Sequence, residues 1–340
     1  MKPVSGTRRL AGACLGTGFL VACATPPQTQ LLFTDPAIDL PVRVELEETP
    51  FYPQQRYQCG PAALATVLGA HAIDVTPEKL VDDVFIPALN GSLPEEITAT
   101  ARRYGMLAYP LQPSLLDLVH EVARGNPVLV FQNLGIEWIP KWHFSVVVGY
   151  DLATRELILR SGTTRRWKTT FANFEKTWSR SGHWALVILP AGILPASAGP
   201  ERYLRAAHDL EISGLITAAV SAYQAATRRW PDEPHTWMAY GNSLYATADY
   251  RQAEIAFRKA TELAPAEAEA WNNLAYALVK TTCPQQAQLA ASCAARLEPV
   301  EPNYRDTLKE INARARGKDA PYCMPVDCKP LTTPPGPSGR

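Results

Sequence analysis

Apolar positions along the chain first recur with a helical period, then run together as strands, then return to a helical period in register with themselves. From Cys59, apolar residues fall at Ala62, Ala63, Val67 and Leu68. Pro61 fits the first turn of this helix, where a missing N–H costs nothing. Thr76-Pro77 opens a second helix in the same way. Ser92 with Glu95 reads as a capping box before a third, which Gly105 closes, and Ser114 to Gly125 repeats that logic. Apolar or β-branched runs follow at Val128–Phe131, His143–Tyr150, Glu156–Leu159 and Trp184–Leu189. Helices first and strands afterwards predict an α+β domain, not alternating βαβ units. Ahead of this domain, residues 24–45 carry four prolines and no helical period, which predicts a tether. Within it Val42–Leu46 alternates in the manner of an edge strand.

Pro190–Pro200 (PAGILPASAGP) is a linker by composition. Beyond it the pattern repeats every 34 residues. Tyr203, Trp237 and Trp271 share one column, and Ala219, Ala253 and Ala287 another. So do Ala226, Ala260 and Ala294, then Pro231, Pro265 and Pro299, then Tyr223, Phe257 and Ala291. Small alanines let paired helices approach, and aromatics fill the gap to the next pair. Period, small residues and closing proline resemble tetratricopeptide repeats. Gly241 stands where that motif has glycine; the other two repeats have Ala207 and Ala275. Asn303–Arg316 is expected as a capping helix, and the Pro-rich chain from Gly317 as a poorly ordered tail apart from any bridge at Cys323 or Cys328. A module of this kind acts either as a spacer or as a groove for a peptide or partner protein.

Charge adds little: 33 basic side chains balance 33 acidic ones, so no long-range field favours nucleic acid, and no nucleic-acid partner is expected. The N-terminus changes the picture more. Lys2, Arg8 and Arg9 precede a short apolar run, Leu10–Ala22, too short to span a bilayer, ending in Leu20-Val21-Ala22-Cys23. This resembles the bacterial lipobox. The resemblance implies cleavage before Cys23, lipidation of its thiol, and a membrane partner reached through that lipid. With Ala24 rather than aspartate next, it implies an envelope lipoprotein of the outer membrane facing the periplasm. The resulting division is a signal peptide at 1–22, a tether at 23–45, an α+β domain at 46–190, a linker at 191–200, repeats at 201–316 and a tail at 317–340.

The chain has seven cysteines. Cys14 leaves with the signal and Cys23 carries lipid. Cys283, Cys293, Cys323 and Cys328 lie near the C-terminus, and an exported compartment permits three alternative pairings among them. A zinc site is the rival reading, but neither spacing is CxxC and no histidine lies nearby, so no metal is expected.

That leaves Cys59, which heads an apolar helix with Gln54 five residues upstream. A helix N-terminus lowers a thiol pKa through its dipole and free N–H groups, and a nearby amide can hold an oxyanion. FYPQ, CGPAALATVL, GSLPEEITATARRYGM and HFSVVVGYD, in that order, resemble the C39-like cysteine peptidases, over roughly Phe51–Pro190. The resemblance implies an α+β papain-like fold, followed here by an all-α solenoid. It places the nucleophile on Cys59, the general base on His143 and the oxyanion donor on Gln54. Some members space that glutamine differently, so Gln55 and Gln58 stay open. His183 is the reserve histidine.

Many relatives carry Asp-Pro after the strand that follows the histidine; this chain reads Arg160-Ser161-Gly162. Ser161 is the candidate orienting group, with an unaided Cys-His dyad as the alternative. Asp151, eight residues beyond His143, would lie about 26 Å away along an extended strand. No GxGxxG, P-loop or HExxH occurs, so no cofactor is expected. The expected function is peptide-bond hydrolysis by a lipid-anchored cysteine peptidase, with protein or peptide substrates recruited by the repeats. The alternatives are a non-catalytic envelope binding protein and a cysteine amidase or acyltransferase.

Overall fold

The computed structural model describes residues 25–54, 58–314 and 317–328. The signal peptide, Cys14, Cys23 and Gln55 lie outside the described residues. The N-terminal region runs α1 (Pro27–Thr34), β1 (Arg43–Glu45), α2 (Cys59–Ala70), α3 (Pro77–Val84), α4 (Pro94–Arg103), β2 (Met106–Pro110), α5 (Leu115–Ala123), β3 (Val128–Asn133), β4 (Trp142–Asp151), β5 (Glu156–Ser161), β6 (Thr164–Thr170), α6 (Phe171–Ser179) and β7 (Ala185–Pro190). Its strands form one seven-stranded sheet in the order β2-β7-β3-β4-β5-β6, with β1 added beside β4. Every pairing is antiparallel, as an α+β domain requires.

The sheet is covered on both faces. Leu64, Val67 and Leu68 of α2 pack with Phe144, Val146 and Val148 of β4 and with Leu80 and Ile97 from α3 and α4. The opposite face buries Val147, Leu157 and Val187 under Leu118 and Val122 of α5 and Phe174 and Trp178 of α6. Alternation along β4 therefore sends side chains into two different cores.

Local start signals mostly act as the residues dictate. Thr76 precedes Pro77 at the first turn of α3. The Ser114 hydroxyl accepts a hydrogen bond from the Asp117 N–H at 3.1 Å. Gly105 takes a left-handed φ of 74° after α4, where a side chain would be strained. The capping box expected from Ser92 and Glu95 does not form. Leu93 is the N-cap of α4, one residue too late for Ser92, whose buried hydroxyl has no hydrogen-bond partner.

Three elements were illegible as pattern. β6 (TRRWKTT) is largely exposed on both faces at the sheet edge, so it has no apolar alternation to display. β2 is buried at four of its five positions and reads as a short apolar run. In α6, Thr170 caps the helix by accepting from the Asn173 N–H at 3.2 Å.

The expected tether is corrected between Pro27 and Thr34. These residues form α1 and dock onto the domain. The buried Glu175 carboxylate accepts from the N–H of Gln28 at 3.0 Å and from the N–H and hydroxyl of Thr29, both at 2.6 Å. Gln28 Oε1 accepts from the Leu115 N–H at 2.6 Å, and Leu32 enters the core. Tertiary hydrogen bonds to a carboxylate far along the chain override a locally weak helix signal.

Beyond β7 the chain is helical: α7 (Pro200–Ile212), α8 (Ile216–Arg229), α9 (Pro234–Ala246), α10 (Tyr250–Leu263), α11 (Ala268–Lys280), α12 (Pro284–Leu297) and α13 (Pro302–Arg314). Three helical hairpins and a capping helix follow the sequence repeat. A Cβ at Gly241 would meet the Phe257 ring at 2.5 Å, so glycine here lets α9 close on α10. The first hairpin is not a separate body. Tyr203, Ala207 and Leu210 of α7 and Tyr223 of α8 share a core with β2 and α5. The Pro-rich connection is pinned as well: Ser197 donates its N–H and hydroxyl to buried Glu121, at 2.9 and 2.8 Å.

The expected disorder of the tail is corrected over 317–328. Cys283 pairs with Cys323 and Cys293 with Cys328. Asp319 accepts from the Gln285 N–H at 2.7 Å, and the Met324 carbonyl accepts from Arg258 at 2.8 Å. Composition predicts no fold for this segment, but backbone and side-chain groups of α10 and α12 supply hydrogen bonds to it.

Candidate active site

The site assembles around one peptide unit, that of Phe144. Phe144 lies opposite Phe131 of β3, but the Phe131 N–H donates to Trp184 O at 3.2 Å on the far side. The pair is therefore of the non-hydrogen-bonded kind, and the polar groups of Phe144 point away from β3, toward β5. Pairing of β4 with β5 begins only at Val146–Arg160. The N–H and C=O of Phe144 are thus free of the ladder. The carbonyl accepts from Gln54 Nε2 at 3.3 Å, and the N–H reaches the Cys59 thiol.

Gln54 is held at both ends. Its own N–H donates to Gly162 O at 2.9 Å, in the turn between β5 and β6. The segment leading to it is fixed by buried Arg160, which donates to the carbonyls of Thr49 at 3.3 Å and Glu47 at 3.2 Å. Gln58 caps no N–H of α2 with its side chain. Of the two glutamines among the described residues, Gln54 is the one that meets Phe144.

Cys59 is the first residue of α2 and half-buried. Burial pushes its thiol pKa up, although the N–H groups of Phe144, Gly60 and Cys59 itself favour the thiolate. This corrects the expectation of a lowered pKa: desolvation outweighs the three N–H donors. Gly60 is dictated by its surroundings, since a Cβ there would lie 2.2 Å from the Ser92 hydroxyl.

His143 sits near the start of β4, opposite Gln132. Its Nε2 shares a hydrogen bond of 2.8 Å with the hydroxyl of buried Ser161, at the end of β5. Burial drives the imidazole pKa down to about 4, so the ring is neutral near pH 7. In the tautomer that directs Nε2–H at Ser161, Nδ1 carries the lone pair and can accept a proton. The arrangement can take a proton from a thiol and return it to a leaving group.

The remaining candidates lie elsewhere. His183 stands edge-on to Trp178 at 4.9 Å in the turn before β7. Asp151, at the far end of β4, accepts from the Thr154 N–H at 3.0 Å. Sequence reasoning missed the aromatic ladder beside His143. Trp142 stacks on Phe131 at 5.1 Å, Phe131 on Phe144 at 4.4 Å, and Trp184 meets Phe144 edge-on at 5.9 Å. These rings are scattered over three segments, and only strand register joins them.

Residues 46–186 match the family model described as the peptidase C39-like family, and residues 234–277 match a tetratricopeptide repeat model. The first segment is a C39-like peptidase domain. Among solved structures, the chain is similar to a putative C39-like peptidase from Bacillus anthracis, at 19% identity, covering 43% of this chain and 97% of that one, with a TM-score of 0.37. The repeats are similar to the first repeat domain of Spaghetti (RPAP3) bound to an HSP90 peptide, at 15% identity, covering 34% of this chain and 91% of that one, with a TM-score of 0.33. They are also similar to the Yersinia enterocolitica type III secretion chaperone SycD in complex with a YopD peptide, at 16% identity, 34% and 94% coverage, and a TM-score of 0.32. No curated protein matches the chain. Within the C39-like domain, Cys59, Gln54, His143 and Ser161 all come from the ends of elements: the start of α2, the loop before it, and the adjoining ends of β4 and β5.

Proposed function

We propose that this protein is a cysteine peptidase that hydrolyses peptide bonds at Cys59 and His143 and is tethered to the cell envelope through lipid on Cys23. The observation that carries the reading is the Phe144 peptide unit, which gathers the Cys59 thiol and the Gln54 amide one residue from His143. Cys59 Sγ attacks the substrate carbonyl carbon as its proton passes to His143 Nδ1. The oxyanion is held by the Cys59 N–H and the Gln54 Nε2 hydrogen not used on Phe144. The C–N bond then breaks, the imidazolium protonates the amine, and a thioester remains. Water, deprotonated by His143, attacks that thioester and releases the acid.

The resting pair is uncharged, since burial raises the thiol and depresses the imidazole. Thiolate therefore forms during attack and is not stored beforehand. Ser161 orients the ring without supplying the negative charge an aspartate would. The same two features support the second reading, a non-catalytic binding protein on a relic peptidase fold. In either case the repeats offer a groove of ≈ 1110 Å³ whose lining includes Glu201, Glu211, Tyr223, Glu233, His208 and His235. Arg205 shares that lining and pairs with Glu201, Tyr223 donates to Glu211, and His235 sits against Glu233, so all three carboxylates have partners within the groove.

The test is the envelope proteome and a peptide library compared between the wild-type chain and Cys59→Ala. Proteolysis predicts cleavage products that vanish in the variant. Identical product sets, with repeat-dependent partner binding retained, would establish the binding protein instead.

A further inference from the structure

The connection between β3 and β4 carries large apolar side chains in water. Ile136 is 54% exposed, Trp138 87% and Ile139 65%. Their backbone is nevertheless fixed. Ile136 and Ile139 exchange N–H···O=C bonds of 3.3 and 3.1 Å. Asn133 Oδ1 accepts from the N–H of Gly135 and of Lys141, both at 2.9 Å. The guanidinium of Arg180, just after α6, donates to the carbonyls of Asn133 and Gly135. A Cβ on Gly135 would fall 2.2 Å from Ile139 O, so the turn closes tightly. A built turn that holds two isoleucines and a tryptophan outward calls for a partner.

The position of α1 identifies that partner. Thr29 bonds to Glu175, and the Phe33 ring packs on Phe171 at 5.4 Å. Four residues onward in α1 correspond to four residues backward in α6, so the two helices are antiparallel. The N-terminus of α1 therefore points toward the end of α6 where Arg180 grips the turn. From Glu175 to Arg180 is five residues, roughly 7–8 Å of helix. Upstream of α1, only Ala24, Thr25 and Pro26 separate Pro27 from Cys23, at most about 14 Å of extended chain from Cys23 to Pro27. The chain upstream of Pro27 therefore leaves the C39-like domain at the pole that carries the apolar turn.

We propose that the Ile136–Ile139 turn is a membrane-interface contact: Trp138 and the two isoleucines enter the lipid headgroup region beside the anchor, and His143 opens close to the bilayer surface. The inference rests on the reading of Cys23 as the lipid attachment point. Tryptophan suits that depth, with an apolar body and a polar N–H. Glu137, between the apolar residues, stays with the headgroups, and Lys141 and Arg180 at the base complement anionic lipid. Several acyl chains on one residue hold the chain at the membrane but leave the domain free to turn, and a second contact fixes its orientation.

The full chain, recovered from bacterial membranes, is reconstituted into vesicles of phosphatidylglycerol and brominated phosphatidylcholine, and its tryptophan fluorescence is compared with that in unbrominated vesicles. Bromine quenching is expected in the wild type and lost in Trp138→Phe, with Ile136→Ser/Ile139→Ser also reducing it. Flotation of the wild type and of Cys23→Ser tests the anchor separately. A chain that floats without Trp138-dependent quenching overturns the membrane contact and leaves the anchor standing. Quenching and flotation that both persist in Cys23→Ser keep the contact and remove the anchor. Neither flotation nor quenching overturns both. If the turn variants leave quenching unchanged but raise KM for apolar peptides, the turn is a substrate surface and the proposal falls.

Discussion

His143 Nε2 and Ser161 Oγ are 2.8 Å apart, so the group that faces this ring nitrogen is a neutral hydroxyl and not a carboxylate. The ring is oriented but its charged form receives no countercharge, and burial alone sets its pKa, down to about 4. Ser161→Ala is expected to lower kcat/KM roughly tenfold, the worth of about one such hydrogen bond. Ser161→Asp should move the acid limb of the pH–rate profile to higher pH, because a carboxylate stabilises imidazolium. An acid limb that stays in place in Ser161→Asp would show that Ser161 does not contact the working base.

Cys59 should alkylate with iodoacetamide more slowly at pH 7 than a free thiol does, and its rate should keep rising beyond pH 9. The direction follows from the burial that raises its pKa. A rate plateau below pH 8 would mean that a stored thiolate exists and that the neutral resting pair is wrong.

Stability should fall in acid through His143. The folded-state pKa of about 4 lies below the ordinary 6.5, so the folded protein binds fewer protons between those values. The contribution is fully present above pH 6.5 and is lost as pH falls toward 4, by about 3 kcal/mol in all. Chemical denaturation across that window should show a shallower pH dependence for His143→Gln than for the wild type. Equal slopes would assign the acid sensitivity elsewhere.

Glu175→Ala should release α1. Three donors of Gln28 and Thr29 lose their acceptor, while Leu32 keeps its apolar contact. Amide hydrogen exchange at residues 27–34 is expected to accelerate strongly relative to β4, which is buried in the sheet centre. Unchanged protection would mean that packing alone holds the helix.

Gly241→Ala should destabilise the repeats by about 1–3 kcal/mol, since its methyl would overlap the Phe257 ring. Thermal unfolding should recover part of that loss in Gly241→Ala/Phe257→Leu, where the ring is gone. Additive losses in the double variant would deny the contact.

The sequence by itself determined what local chemistry encodes. Period and small residues placed the repeats. Pro61 and the apolar spacing after Cys59 placed α2, and the valine-rich run after His143 placed β4. Cys59, Gln54, His143 and Ser161 were all legible as candidates, because each sits beside a recognisable start or end of an element. Tertiary structure decided everything that depends on two distant segments meeting. It turned 27–34 from tether to helix through Glu175, and it selected one cysteine pairing of three. It brought Gln54 to Phe144 by leaving that residue unpaired on its β5 side, and it reversed the expected shift of the Cys59 thiol. A helix terminus is a local property that one segment can announce. Desolvation is not, because it depends on how many other segments close over the same atom.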